Sequence, residues 1–71
     1  MQTKNRTITI NGSKYLFNFN LTLFELVNYL GFNKNVIVID YNGTIKEKTL
    51  WKRTFLQSGD FLEVLSIAGG G

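Results

Sequence analysis

Polar and apolar residues alternate with period two from Arg6 to Ile10, the pattern of a strand with one covered face. Asn11-Gly12 follows, a pair that tolerates the positive φ angles of a type I′ turn. The run from Lys14 to Phe19 is therefore predicted to fold back as an antiparallel partner. Within it Tyr15, Phe17 and Phe19 share one face, and Lys14, Leu16 and Asn18 share the other. The aromatic face is expected to turn inward, where a helix packs against it.

At Thr22 the period changes. Thr22-Leu23-Phe24-Glu25 reads as a capping box: the threonine hydroxyl accepts from the Glu25 backbone N–H, the glutamate reaches back to the cap, and Leu21 and Leu26 form a hydrophobic staple. Leu23, Leu26, Val27 and Leu30 recur at i, i+3, i+4 and i+7, and Gly31 stands where a left-handed residue ends a helix. The spacing predicts a helix over Leu23 to Leu30.

Val36 to Ile39 is a continuous β-branched run, expected to be a central strand covered on both sides, and Asp40-Tyr41-Asn42-Gly43 is read as the turn after it. Thr44 to Lys46 suits a short return strand. Thr49 to Leu56 has mixed periodicity and is predicted to hold an irregular or 3₁₀ turn. Ser58-Gly59-Asp60 marks another turn before a last strand, Phe61 to Ile67, with Leu62 and Val64 on one face and Phe61, Glu63, Leu65 and Ile67 on the other. The order of elements predicts an α+β fold in a single domain, residues 1–71, with one main helix lying across one face of a sheet.

Composition narrows the chemistry. A chain of 71 residues supports one core, and 44% apolar with 18% charged residues is a globular balance. Without cysteine there is no thiolate nucleophile, disulfide or cysteine metal site, which fits a reducing compartment. Without histidine the commonest general base and transition-metal ligand are missing as well. The five carboxylates, Glu25, Asp40, Glu47, Asp60 and Glu63, are scattered over different elements; Glu25 reads as a cap and Asp40 and Asp60 as turn residues. No pair is spaced as an acid and a base, and no glycine-rich loop opens a helix to cradle phosphate, so the chain is not expected to be an enzyme.

The net charge is +3, and Lys46, Lys48, Lys52 and Arg53 gather around Glu47, either as an electrostatic docking patch or as a solvated surface. Tyr15, Phe17, Phe19 and Trp51 with nearby lysines imitate a base-stacking platform. The inward face required by the helix favours core packing instead, so no nucleic-acid partner is expected. No apolar run is long enough for a signal peptide or a membrane span, so no membrane association is expected either.

Ala68-Gly69-Gly70-Gly71 ends the sequence. Glycine has no Cβ, so such a segment can thread extended into a narrow active site and offer its carboxylate as the reacting group. The same run also fits a frayed terminus or a linker remnant.

The order of elements, the Asn11-Gly12 hairpin, Thr22 with Glu25-Leu26, Trp51 ahead of Gly59-Asp60, and the glycine run after Ser66-Ile67-Ala68 together resemble the ThiS family of sulfur carriers in thiamin thiazole biosynthesis. The likeness spans essentially the whole chain, and its specific functional motif is the glycine tail. It implies a ubiquitin-like β-grasp fold with a mixed sheet and a flexible tail over residues 68–71. It also implies a carrier cycle in which the Gly71 carboxylate is adenylated and then converted to a thiocarboxylate. Gly69 and Gly70 would thread the partner's active site, and Leu65, Ile67 and Phe61 would dock it.

The resemblance further implies that the carrier binds no cofactor or metal of its own, with ATP and Mg²⁺ used by the partner. That partner would be a ThiF-like adenylyltransferase similar to the ubiquitin-activating enzymes. A sulfur donor such as a cysteine desulfurase would supply the persulfide, and a ThiG-like thiazole synthase would receive the sulfur. A monomer is expected, in a bacterial cytoplasm or a plastid stroma, which suits the abundance of Asn, Lys, Ile, Phe and Tyr. Two other readings stay open: a carrier like the small subunit of molybdopterin synthase, whose members tend to carry prolines that this chain lacks, and a ubiquitin-like modifier or interaction domain.

Overall fold

The computed structural model describes residues 5–67, so Gly69, Gly70 and Gly71, expected to thread the partner and to react, lie outside the described residues. The strands are β1 (Arg6–Ile10), β2 (Ser13–Phe17), β3 (Ile37–Tyr41), β4 (Thr44–Lys46) and β5 (Phe61–Ser66), with the helix α1 (Leu23–Leu30) between β2 and β3. They form one sheet in the order β2-β1-β5-β3-β4, in which β1 and β5 are parallel and every other neighbouring pair is antiparallel.

Local sequence explains the element ends. Thr22 and Glu25 form the expected capping box, with Glu25 N donating to Thr22 Oγ1 at 3.1 Å and Thr22 N donating to Glu25 Oε1 at 2.9 Å. Gly31 closes α1 at φ 82°, and its N–H reaches the Val27 and Asn28 carbonyls. Asn11-Gly12 and Asn42-Gly43 both have positive φ at each residue, as type I′ hairpins require.

The two hairpin asparagines also hold β5. Asn11 N donates to Leu62 O and Asn11 Oδ1 accepts from Val64 N at 2.8 Å; Asn42 N donates to Phe61 O and Asn42 Oδ1 accepts from Phe61 N at 2.7 Å. The turns after β1 and β3 thus clamp the strand between them.

Two expectations are corrected here. The central strand is β5, and the β-branched run forms β3, next to the edge strand β4. Ile37 and Ile39 of that run are buried while Val38 is only partly covered, and Val36 falls in a 3₁₀ turn over Lys34–Val36 whose cap, Asn33 Oδ1, accepts from Asn35 N. Strand order is fixed by pairing between distant segments, which a local run of β-branched residues does not encode.

The second correction concerns the aromatic face of β2. Tyr15 and Phe19 are about half exposed, and Phe17 alone packs against the core, with the Phe17 and Phe19 rings edge to face at 6.1 Å. A helix of eight residues is about 12 Å long. Its buried residues Leu23, Leu26 and Val27 share a cluster with Ile8 and Ile10 of β1, Leu62 of β5, and Ile37 and Ile39 of β3, and the outer strand β2 lies past that cover.

Trp51, on a 3₁₀ turn over Lys48–Arg53, completes the core at 1% exposure and donates its indole N–H to Lys46 O at 3.0 Å. It is a packing residue and offers no stacking surface. Asp60 is also more than a turn residue. It is buried and accepts from the Tyr41 hydroxyl, from Asn42 Nδ2 at 3.1 Å and from Gln57 N at 2.7 Å. Burial first, then the hydrogen bond to Asp60 and that carboxylate's charge, push the Tyr41 hydroxyl well above the usual tyrosine pKa.

Candidate functional site

β5 is the platform from which residues 68–71 follow. Past Ser66 the ladder continues by one bond, Ile67 N donating to Val36 O at 2.8 Å, so the chain is held to the last described residue. Alternation along β5 sends Leu62 and Val64 toward α1 and sends Phe61, Glu63, Leu65 and Ile67 to the opposite face of the sheet. Leu65 and Ile67 are each 45% exposed and Phe61 is 50% exposed.

Register divides these three candidates. Leu65 lies opposite Val38 of β3 and, with Ile67, occupies the end of the sheet from which the tail follows. Phe61 lies beside Thr9 of β1 at the other end of β5, about 13 Å away along the strand. Between them Glu63 is directly opposite Asp40, whose Oδ1 accepts from Gly43 N at 2.8 Å. Leu65 and Ile67 therefore belong to one patch. Phe61 belongs to a separate hollow of about 250 Å³ that it shares with Asp40, Asn42, Gly43 and Glu63.

The structure adds residues that strand parity alone had not singled out. Val38 is the outward member of the β-branched run, and Ile45 of β4, 54% exposed and opposite Asp40, shares its face. A hollow of about 220 Å³ at the tail end has an apolar floor of Ile37, Val38, Ile45, Trp51 and Ile67. Its rim carries Lys34, Asn35, Lys46, Glu47 and Lys48. Of the basic cluster expected from sequence, Lys46 and Lys48 are thus at this hollow, whereas the Lys52 ammonium lies 4.8 Å from the centre of the Phe24 ring. Lys34 joins the rim from the loop after α1, and nothing in its local sequence announces that.

On the β2 side, a hollow of about 320 Å³ is lined by Tyr15, Phe17, Phe19, Leu26, Tyr29 and Leu30 among others. Among the described residues no three or more Asp or Glu side chains gather as a metal site would require. No helix among them is long and apolar enough to cross a membrane.

A mixed five-stranded sheet grasping one helix, with its middle strand leading to a glycine tail, defines a ubiquitin-like β-grasp protein of the carrier class. The ThiS family model matches residues 3–71, and the chain belongs to that family.

Proteins named uncharacterized protein ycf40 are similar along nearly all of the chain. That of Porphyra purpurea is 38% identical over 100% of both chains, and that of Trieres chinensis is 35% identical over 93% of this chain and 90% of its own. That of Pyropia yezoensis is 37% identical over 94% of each. The crystal structure of thiamine biosynthesis protein ThiS from Geobacter metallireducens superimposes with a TM-score of 0.79 at 26% identity, covering 92% of this chain and 99% of that one. Family and fold support a sulfur-carrier role, that of a small carrier and not of an enzyme.

Proposed function

We propose that the chain carries sulfur as a thiocarboxylate at Gly71 and delivers it for thiazole formation in thiamin biosynthesis. The observation that carries this reading is the pairing of a ThiS-family body with a middle strand, β5, that runs through two exposed apolar residues, Leu65 and Ile67, directly into Ala68-Gly69-Gly70-Gly71. The thiamin assignment is supported by the likeness to the Geobacter protein, whose name places it in thiamine biosynthesis.

In the first step a Gly71 carboxylate oxygen attacks the α-phosphate of ATP, held with Mg²⁺ by an adenylating enzyme of the ThiF-like class, and pyrophosphate leaves. Making the carboxyl an acyl-adenylate turns a poor leaving group into AMP. A persulfide sulfur from a donor such as a cysteine desulfurase then attacks the acyl carbon, forming C–S as C–O to AMP breaks. A second thiol cleaves the resulting acyl disulfide, leaving the thiocarboxylate and carrying the other sulfur away in a new disulfide. A ThiG-like thiazole synthase takes the sulfur.

This chain's own contribution is to present the carboxylate. Gly69 and Gly70 have no side chain to obstruct a narrow channel. Leu65, Ile67 and Val38 bury apolar area against the enzyme and fix the distance from which the tail reaches. Phe61, at the other end of β5, reaches a partner only if the contact extends along the whole strand. Of the two compartments expected, the plastid stroma is favoured by the ycf40 relatives, which are plastid-encoded in algae.

The test is ATP–pyrophosphate exchange with the ThiF-like enzyme. The full chain supports exchange, and a chain lacking Gly70 and Gly71 folds but does not. Exchange by the shortened chain at the full rate would remove the carboxylate from the mechanism.

A further inference from the structure

The two edges of the sheet are not alike. At one end β4 is three residues long, which leaves little to pair with, whereas β2 at the other runs for five, Ser13–Phe17, in unbroken register and without proline. Register shows which main-chain groups β2 leaves open. Asn11-Gly12 is a two-residue turn, so Ile10 and Ser13 are a hydrogen-bonded pair, and by alternation so are Ile8 with Tyr15 and Arg6 with Phe17. Thr7 and Thr9 turn the other way, Thr9 N donating to Asp60 O and Thr7 O accepting from Gly59 N. The N–H and C=O of Lys14 and Leu16 therefore point away from β1, and they find no partner among the described residues. On β4 only Ile45 stands in that position.

The β2 edge is also apolar. Tyr15 and Phe19, with Tyr29 from α1, are exposed around the hollow of about 320 Å³, and Leu16 is exposed on the outer face. Open main-chain groups are matched by another strand, and the hollow beside them is matched by apolar side chains on one side of that strand. β2 itself meets both requirements. Laid antiparallel on a second copy with Tyr15 opposite Tyr15, all five residues overlap and Lys14 faces Leu16 of the other chain. Each Lys14–Leu16 pair exchanges both of its main-chain bonds, so four bonds close and every group that these residues left open is used. The Lys14 charges each face a leucine and not one another. Both inner faces lie on the same side of the joined sheet, so the Tyr15 rings meet at the axis and the two hollows face each other across it. Pairing of β2 with β4 would engage Ile45 alone on the β4 side and would run head to tail without closing.

We propose that β2 is the contact between two copies of this chain, which pair edge to edge about a twofold axis at Tyr15 and continue the sheet from one copy into the other. The strand is short and the contact small, so the dimer is weak and reversible, in exchange with the monomer expected from sequence. The proposal is independent of the sulfur-carrier reading. β5 lies two strands in from this edge, so Leu65 and Ile67 stay open in the pair.

The experiment follows the full chain from about 10 µM to about 1 mM by sedimentation equilibrium and by amide hydrogen exchange. The average mass is expected to rise from that of one chain toward that of two. Exchange at Lys14 and Leu16 is expected to slow about fivefold over the same range, with Ile45 unchanged. Leu16→Pro removes an outward N–H and none of the bonds to β1, and is expected to hold the mass at one chain throughout. Tyr15→Lys and Tyr15→Glu each set like charges at the axis and are expected to stay single, whereas an equal mixture of the two is expected to pair. That mixture tests the axis without requiring the strand to accommodate proline. Amide shifts in β3 and β5 check that each variant keeps the native fold.

A native mass of one chain up to about 1 mM would overturn the proposal, as would dimers whose Lys14 and Leu16 amides exchange at the dilute rate. A mixture of Tyr15→Lys and Tyr15→Glu that stays single beside a dimeric native chain would overturn the axis. Protection of these amides only after a ThiF-like or ThiG-like protein is added would give the edge to a strand of that protein instead. Each of these results leaves the carrier reading standing.

Discussion

Leu62 and Val64 point one way from β5, and Leu65 and Ile67 point the other, yet all four are aliphatic. Leu62 is fully buried beneath α1, where it joins Ile8, Ile10 and Ile39. Leu65 and Ile67 keep nearly half of their surface open, on a face over which no helix lies among the described residues. The hydrophobic effect acts on both sets. On the inner face it is satisfied by folding, and on the outer face it is left for association. A single strand with aliphatic residues on both faces can therefore hold the core with one parity and leave the other parity open to a partner.

The division breaks most visibly at Leu62. Leu62→Ala is expected to cost on the order of 3 kcal/mol, read from urea unfolding, because the deletion leaves a cavity under the helix. A loss under about 1 kcal/mol would mean that the inner face is not the stabilising one.

Tyr41→Phe sharpens the inner side. Losing the hydroxyl that donates to buried Asp60 is expected to cost about 2 kcal/mol near neutral pH. The raised Tyr41 pKa sets the sign of its pH dependence. The native chain keeps the tyrosine protonated where the unfolded chain ionises, so this stability is fully present below about pH 10 and is lost as pH rises beyond it. The gap between native and Tyr41→Phe proteins should therefore narrow above that pH. Unfolding curves at neutral and alkaline pH check it, and a constant gap would contradict the assignment.

On the outer face the expected effect moves from stability to binding. Leu65→Ala should change unfolding free energy by less than about 1 kcal/mol while lowering kcat/KM for adenylation about tenfold. The reverse pattern would make the outer face structural. The smallest effect concerns neither face. Gly43→Ala places a side chain in open space at φ 93°, so its cost of about 1 kcal/mol is conformational and should appear as a lower unfolding midpoint with unchanged adenylation.

What could be read from the sequence follows the range of the interactions. The helix ends at Thr22 and Gly31, the Asn11-Gly12 hairpin and the parity of β5 depend on residues within a few positions of each other, and the structure agrees with each. The place of β5 at the centre of the sheet depends on pairing with β1 and β3, far away in the chain, and the β-branched run pointed to β3 instead. Tyr15 and Phe19 have the parity of core residues, but coverage depends on the length of α1, which local alternation does not measure. Asp60 reads as a turn residue until Tyr41 and Asn42, nearly twenty positions earlier, are brought onto it.

The candidate site divides in the same way. Leu65, Ile67 and Phe61 were recognisable from alternation as outward residues, whereas the separation of Phe61 from the other two, and the arrival of Val38, Ile45 and Lys34 beside Ile67, required the sheet register and the loop after α1. The residues proposed to thread the partner and to carry the reacting carboxylate, Gly69 and Gly70 and then Gly71, are legible in sequence and lie outside the described residues.

The central claim is that this chain's reactive group is its Gly71 carboxylate, and intact-mass measurement tests it directly. The full-length protein is incubated with the ThiF-like enzyme, ATP, Mg²⁺, a persulfide donor and a thiol, and weighed before and after. The expected result is a gain equal to replacing one oxygen by one sulfur, located in the C-terminal peptide. An unchanged mass beside an enzyme that thiocarboxylates its own carrier would contradict it.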